Sequence, residues 1–334
     1  MTKYDFANLM LSEVKGACDE DTNVVLRKVT KNNNYELDAL MFTRKGYNVS
    51  PVIYLDSFYN KFLYDNSTSD AVSGILTTYR ASLDRKPDNV IFSNNYDEVK
   101  DKLLIKLVNY KKNKEQLKDM PYIPFLDMAI IFLLAFDMND SGFSSTKVTN
   151  NYKELWDVSN KQMYKDAVKN SENYHVPFLF SIEEVIDRMI AGNHIPSVPV
   201  FRSIYDNKII NKTDDMTFRD FFLNQVDEAR ENRQFPLEMY ILTNNINING
   251  ATCILYPKLL EQVADRFETD LVLVPSSIHE FIILPYNDES EILNNIDELK
   301  KIVYDVNKDH VACCDVLSDN VYYYDRDSKE VTIM

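Results

Sequence analysis

The hydrophobic pattern of the first third of the chain predicts a mixture of helices and strands. Apolar residues recur at helical spacing over residues 3–18 and again over residues 67–83. Between these stretches, the β-rich runs NVVLRKVT and YELDALMFT flank KNNN, a turn that suits the tolerance of asparagine for left-handed dihedrals. The piece NVSPVIYLDSFYNKFLYD predicts a short strand followed by a helix that Asp56 caps.

The middle of the chain leaves two structural alternatives open in two places. Residues 99–119 fit either a strand followed by a helix or one long helix. The run FLDMAIIFLLAF at 125–136 is apolar on all sides, which is typical of a central strand or of a buried helix. Its Asp127 needs a polar partner if it is buried. Helical spacing predicts three further helices, over residues 149–173, 181–190 and 217–232.

The last hundred residues predict the order ββαββαββ. MYILTN (239–244) and ATCILY (251–256) are predicted to be strands around the turn NINING, in which Gly250 is available for positive φ. A helix with Pro257 in its first turn, a hairpin in LVLVPSSIHEFIILP, a helix from 289 to about 306 and a final hairpin in VYYYDRDSKEVTIM follow. The predicted fold class is α+β, with mixed, largely antiparallel sheets and flanking helices.

We divide the chain into three predicted regions on this pattern. They are an N-terminal α/β region (1–118), a mainly helical middle region (119–234) and a C-terminal α+β region (235–334). A chain of 334 residues is long enough for two or three domains or for one large domain. Its 45% of apolar and 27% of charged residues are typical of a folded globular protein.

Composition excludes or disfavours several functional classes. The six glycines include no pair at motif spacing, which excludes phosphate-binding loops of the P-loop or Rossmann kind. A net charge of −15 repels nucleic-acid backbones and anionic membranes, so direct binding to either is not expected. The acidity also raises the hypothesis that the protein mimics DNA toward a basic partner, although acidic surfaces commonly serve solubility.

The cysteines and the N-terminus indicate a cytoplasmic protein without cofactors. No CxxC pair occurs, the first residues lack the pattern of a signal peptide, and the most hydrophobic run is too short to span a bilayer. His310, Cys313 and Cys314 lie close in sequence, but adjacent cysteines rarely both reach one metal ion, and no HExxH motif is present. We therefore predict no metal and no other cofactor.

Several local patterns resemble one protein family. NVSPVIYLDSFY, LDMAIIF, the MYILTN to ATCILYP unit, LVLVPSSIHEFIILP and VLSDNVYYYDR are together similar to the bacterial domain-of-unknown-function family 5688, found mainly in gut firmicutes. The resemblance covers residues 5–331, and PSSIHE and LSDNVYYYD are its most specific parts. It implies a bacterial cytoplasmic protein and carries no established activity, so it assigns no catalytic residue.

The hairpin LVLVPSSIHEFIILP contains the one candidate site that the sequence offers. Alternation along a strand would put Ser277 and His279 on one face, as nucleophile and base of a hydrolase, with Glu280 on the other face unless a bulge intervenes. An orienting carboxylate would have to come from elsewhere: Asp127, Asp270 or Asp315. The alternative is a structural hairpin whose serine hydroxyls satisfy loop amides. A capping box from Ser277 to Glu280 is a third interpretation, which Pro285 and the β-branched run oppose.

The function predicted from these features is binding to another protein. Tyrosine-rich segments supply candidate contact residues in Tyr54 and Tyr323, and Ser276 and Glu280 are further candidate binding residues at the hairpin. We predict a non-enzymatic interaction or accessory protein of the bacterial cytoplasm with a protein partner. The alternatives are a hydrolase that uses Ser277 and His279, and an acidic DNA mimic.

Overall fold

The protein folds into two compact units, Met1–Ile91 and Phe92–Met334. The structure is a computed structural model that describes residues 1–46, 50–84, 93–139, 142–190, 227, 238–286 and 295–334. Every strand pair in these residues is antiparallel, and helices flank the sheets, so the predicted α+β class is confirmed. The division of the chain at residues 118 and 234 stays a prediction.

The N-terminal unit packs three helices against a three-stranded sheet. Its elements are, in chain order, α1 (Lys3–Gly16), β1 (Thr22–Thr30), β2 (Glu36–Arg44), β3 (Val52–Tyr54), α2 (Asp56–Asp65) and α3 (Thr68–Asp84). The sheet order is β1-β2-β3. Asn33 and Asn34 both have positive φ in the turn between β1 and β2, as the tolerance of asparagine predicts. The predicted helices and hairpin of this region are therefore confirmed.

The predicted N-cap of α2 is wrong by one residue. Leu55 is the N-cap, no side chain caps the helix, and Asp56 is its first helical residue. The Asp56 carboxylate instead forms an ion pair with Lys3, the first residue of α1. A carboxylate in the first turn still interacts favourably with the helix dipole, which is why the sequence pattern resembles a cap.

The first part of the C-terminal unit contains an antiparallel four-stranded sheet. It comprises a short helix α4 (Tyr96–Val99) and the strands β4 (Leu103–Asn109), β5 (Tyr122–Phe125), β6 (Met128–Asn139) and β7 (Gly142–Lys147). The order is β4-β6-β5, and β7 also pairs with β6. The run at 125–136 is therefore mostly strand. Its alternate side chains enter two different core clusters, which explains why it is apolar on all sides.

Helices follow this sheet and lead to the next one. They are α5 (Asn150–Trp156), α6 (Asn160–Tyr174) and, after the strand β8 (Pro177–Ser181), α7 (Ile182–Ile190). The single helix predicted over 149–173 is thus two helices. Asp157 has φ 48° and ends α5, and the Ser159 side chain then caps α6 by accepting from the amide of Gln162.

A six-stranded sheet organises the rest of the chain. The elements of this part of the chain are β9 (Tyr240–Asn244), α8 (Leu259–Phe267), β10 (Leu271–Ser277), β11 (Glu280–Pro285), α9 (Ile296–Asp309), β12 (Tyr322–Asp325) and β13 (Glu330–Ile333). The order of the strands in the sheet is β13-β12-β10-β11-β9-β8. The hairpins β10–β11 and β12–β13 are confirmed. Residue 227 is helical, but the rest of the helix predicted over 217–232, like the start of the helix predicted from 289, lies outside the described residues.

The prediction of a second strand in the ββαββαββ unit is wrong. Residues Gly250–Leu255 form a 3₁₀ helix, and β8 pairs with β9 instead. Positive φ belongs to Asn249 (55°) rather than to Gly250. The segment is buried beneath the hairpin, where a Cβ on Gly250 would lie 2.4 Å from the carbonyl oxygen of His279. Five of the six residues of this segment are buried, and its largely apolar pattern is the same as that of a buried strand.

Within the described residues, no helix is both long and apolar enough to cross a membrane.

Candidate functional site

The turn between β10 and β11 is held by two other segments of the chain. A bulge between Pro275 and Ser277 places Ser277 opposite Glu280. The buried Ile278 donates its amide to the carbonyl of Asp315 at 2.8 Å, and its own carbonyl accepts from the amide of Ala251 at 3.3 Å. The candidate site is therefore part of a three-segment junction in the core of this unit.

His279 is oriented by partners on both ring nitrogens. Its Nδ1 accepts from the amide of Asn249 at 3.2 Å, which puts the proton of the neutral ring on Nε2. Nε2 lies 3.7 Å from Asp315 Oδ1, within ion-pair distance when the imidazole is protonated. The neighbouring His279 lowers the pKa of the Asp315 carboxyl from its ordinary value. Of the three carboxylates that the sequence leaves open, Asp315 is the one beside His279.

Ser277 contacts the backbone of His279 rather than its ring. Ser277 Oγ accepts from the His279 amide at 3.0 Å, a local turn bond of the kind that serine forms in loops. None of the hydrogen bonds of the described residues joins this hydroxyl to the imidazole. In this arrangement Nδ1 already accepts from Asn249 and Nε2 carries the proton, so neither nitrogen can take a proton from Ser277.

The other two polar residues of the turn bond to each other. Ser276 Oγ donates to Glu280 Oε1 at 2.9 Å across the bulge. The carbonyl of His279 accepts from Thr243 Oγ1 at 2.9 Å, which ties the turn to the end of β9. The structure thus brings the four predicted site residues together in two separate local contacts, Ser276 with Glu280 and Ser277 with the amide of His279.

The two predicted tyrosine contact residues lie in different units and have intramolecular partners. Tyr54, in β3, has the ammonium of Lys31 3.8 Å from its ring centroid, a cation–π contact. Tyr323, in β12, is half-buried and donates its hydroxyl to Asp270 at 2.5 Å, whereas its neighbours Tyr322 and Tyr324 are buried. Strand alternation predicts that Tyr322 and Tyr324 lie on one face of the sheet and Tyr323 on the other. The role of Tyr54 and Tyr323 in binding stays a prediction.

A second polar junction is centred on Asp127, whose partners the sequence does not predict. Its carboxylate accepts three hydrogen bonds, from Ser318 Oγ at 2.6 Å, Asn320 Nδ2 at 2.9 Å and the Tyr322 hydroxyl at 2.5 Å. Burial and the neighbouring Asp127 raise the pKa of Tyr322 above its ordinary value. The signal in the sequence was the lone aspartate of an apolar run, which requires partners but does not name them.

The cysteines and histidines do not converge in the part of the chain that the structure describes. No three side chains from the set His, Cys, Asp and Glu are placed there to hold a metal ion. Cys314 Sγ lies 3.5 Å from Asp315 Oδ1, and Cys313 is exposed. The predicted lack of a metal or cofactor stays a prediction.

Two concave surfaces in the described residues lie away from the hairpin. One, of about 490 Å³, is lined by residues of α1 and α3 in the N-terminal unit. The other, of about 440 Å³, is lined by residues near β5 and at the starts of α5 and α6 in the C-terminal unit. No residue from 271 to 285 lines either of them. Neither of these two concavities therefore includes the predicted serine–histidine pair.

These features define an α+β protein of two compact units whose candidate hairpin is tied into its own scaffold. The chain belongs to DUF5688, a family of unknown function, whose family model matches residues 3–326. This confirms the resemblance inferred from the local sequence patterns. No curated protein matches the chain. No solved structure matches it either.

Proposed function

We propose that this protein acts in the bacterial cytoplasm by binding another protein, without catalysing a reaction, and that the partner docks in the groove between α1 and α3. The groove is the observation that carries the proposal. Its floor is apolar and half-buried, formed by Leu9 of α1 and by Val72 and Leu76 of α3. The polar and charged residues that also line the groove are Thr68, Ser69, Ser73, Glu13 and Arg80.

The spacing of the lining residues indicates what the groove accommodates. Residues four apart recur along both helices, as Leu9 and Glu13 do on α1 and Val72, Leu76 and Arg80 do on α3. The groove therefore runs along the helix axes, and a third helix would complete a three-helix packing. We infer that the occupant is an amphipathic helix of the partner, with apolar residues at i, i+3 and i+4 and charges that complement Glu13 and Arg80.

The hairpin supports the non-enzymatic part of the proposal. A hydrolytic serine needs a base that can accept its proton, and the ring of His279 is engaged by Asn249 and faces Asp315. Ser277 holds the turn by accepting from the backbone. These contacts are those of a structural junction.

A blocking substitution in the groove tests the docking site. Ser73 is exposed and lines the groove, so Ser73→Arg fills it without removing a core side chain. We expect this variant to lose the partner that the wild-type chain co-purifies from its native cell. The partner's binding segment should be helical and should protect α1 and α3 from hydrogen exchange.

The matched control for this experiment is Thr78→Arg, which places the same charge on the opposite, exposed side of α3. It should retain the partner. A partner that binds both variants equally, or a folded wild-type chain that captures nothing, would contradict the proposal. Thermal unfolding of both variants checks that neither has lost its structure.

A hydrolase remains the second candidate, because Asp315 supplies beside His279 the carboxylate that a catalytic triad requires. The test is labelling of the folded protein with a serine-reactive phosphonate, comparing wild type, Ser277→Ala and Ser276→Ala. We expect no labelling of Ser277, since its hydroxyl lacks a base in this arrangement. Labelling that Ser277→Ala abolishes and Ser276→Ala preserves would establish the hydrolase instead.

A further inference from the structure

The second groove, in the C-terminal unit, has an electrostatic character that contrasts with the rest of the protein. Its ten lining residues include Lys114, Lys118 and Lys153 and no acidic residue, whereas the whole chain has a net charge of −15. We call this surface the lysine groove and define it by these three lysines together with Tyr110 and Tyr122. Lysines that line one concavity of an acidic protein raise the local positive potential, which favours an anion there.

Two of the three lysines, Lys114 and Lys153, form no ion pair within the described part of the chain, but Lys114 lies close to Glu115, whose pKa Lys118 and Lys114 both lower. Lys118 forms an ion pair with Glu115, in the same segment. No such pair involves Lys114 or Lys153 among the described residues. Positive charge therefore remains at the groove for a ligand.

One wall of the groove is aromatic. Tyr110 and Tyr122 lie with ring centroids 5.9 Å apart and an interplanar angle of 49°. The apolar side chain of Leu117 lies beside them in the groove. Tyrosine rings offer flat, partly apolar contact area, which suits a ligand with a planar ring of its own.

Hydrogen bonds tie the walls of the groove to one another. Asn150 donates its side-chain amide to the carbonyl of Lys118 at 2.9 Å, and Asn160 donates to the carbonyl of Tyr122 at 3.0 Å. The amide of Tyr110 is held by the carbonyl of Asp127 at 3.1 Å. The groove is consequently formed before any ligand arrives, which reduces the ordering cost of binding.

The start of α6 adds to the positive potential. This helix of 15 residues begins at Asn160, which lines the groove, and the first turn of a helix carries partial positive charge. A phosphate near the lysines would therefore also be favoured by the helix dipole.

We propose that the lysine groove binds a small organic phosphate that carries a planar ring. Lysine ammonium groups bind phosphate as point charges, and a dianion gains more from three of them than a carboxylate does. The tyrosine wall contacts the ring. A volume of about 440 Å³ lies within the range of small-molecule sites.

Calorimetric titration of the full chain tests this site, with adenosine monophosphate, adenosine and inorganic phosphate as the probes. We expect adenosine monophosphate to bind more tightly than either of the others, because it alone has both the phosphate and the ring. The double variant Lys114→Met with Lys153→Met should bind it roughly tenfold more weakly, as expected from the loss of two exposed charge contacts.

The control double variant is Lys111→Met with Lys112→Met. It makes the same change of net charge at exposed lysines of the same segment that do not line the groove, and it should bind as wild type does. Tyr110→Leu should weaken binding and Tyr110→Phe should preserve it, because only the first removes the ring. Circular dichroism establishes that each variant is folded.

Four results would overturn the proposal. They are no saturable binding of adenosine monophosphate at millimolar concentration, equal affinity for adenosine, equal affinity for inorganic phosphate, and equal weakening by the two double-lysine variants.

Discussion

Replacing Gly250 with alanine is expected to lower the free energy of unfolding of the C-terminal unit by about 3 kcal/mol, the upper part of the range for overpacking. The added Cβ would lie 2.3 Å from Thr243 Oγ1, 2.4 Å from the carbonyl oxygen of His279 and 2.8 Å from the amide nitrogen of Asn244. Two of these atoms are backbone, so relieving the strain requires a backbone shift in β9, in the hairpin turn or in the 3₁₀ segment itself. Urea unfolding followed by the fluorescence of Trp156, the only tryptophan and a buried residue of this unit, measures the loss.

Gly16→Ala is the matched substitution for this prediction. A Cβ on Gly16, at the end of α1, would have nothing within 4 Å. We expect circular dichroism to show it as stable as wild type or up to about 1 kcal/mol more stable, because alanine restricts the unfolded chain more than glycine does. If Gly250→Ala instead unfolded within about 0.5 kcal/mol of wild type, the close packing of the 3₁₀ helix beneath the hairpin would be wrong.

Replacing Asp127 with alanine is expected to cost about 3 kcal/mol of stability. The substitution removes the acceptor of three hydrogen bonds. The hydroxyls of Ser318 and Tyr322, both residues fully buried, would then lack their acceptor, and a buried polar group without a partner costs about 1–3 kcal/mol. The same urea unfolding measures it.

A double-mutant cycle distinguishes the loss of the hydrogen bond between Asp127 and Tyr322 from the general effect of removing a charge. Tyr322→Phe removes only the hydroxyl, and the variant that combines it with Asp127→Ala should cost less than the sum of the two single variants. The exposed Asp119→Ala is the control, and it should change stability by less than about 0.5 kcal/mol. Additive effects within the cycle would contradict a direct bond between Tyr322 and Asp127.

The sequence identified the members of the candidate site but not their partners. Local spacing suffices to place residues 276 to 280 at a turn, because a hairpin closes within a few residues. The bulge that puts Ser277 opposite Glu280 changes the strand alternation on which the predicted serine–histidine pair depended. Asp315 could be selected from three carboxylates only once the segments before α8 and after α9 were packed around the turn.

The grooves could not be anticipated for a similar reason. Lys114 and Lys118 are close together in the sequence, but Lys153 reaches the same concavity from α5. Likewise, helical spacing predicts which residues of α1 and α3 share a face, while the separation that leaves a groove between these helices is a result of tertiary packing.

The sequence by itself determined the elements whose signal is local: the amphipathic helices α1 and α3, the hairpins β1–β2, β10–β11 and β12–β13, and the α+β class that they imply. These are specified by the period of apolar residues and by turn chemistry, which act over a few residues. Tertiary structure decided the rest. Buried segments such as β6 and Gly250–Leu255 are largely apolar and show no distinct polar face, so only the neighbours that satisfy their backbone groups select strand or helix. Polar junctions join residues far apart in the chain, as Asp127 and Tyr322 show, and only the folded chain brings them together.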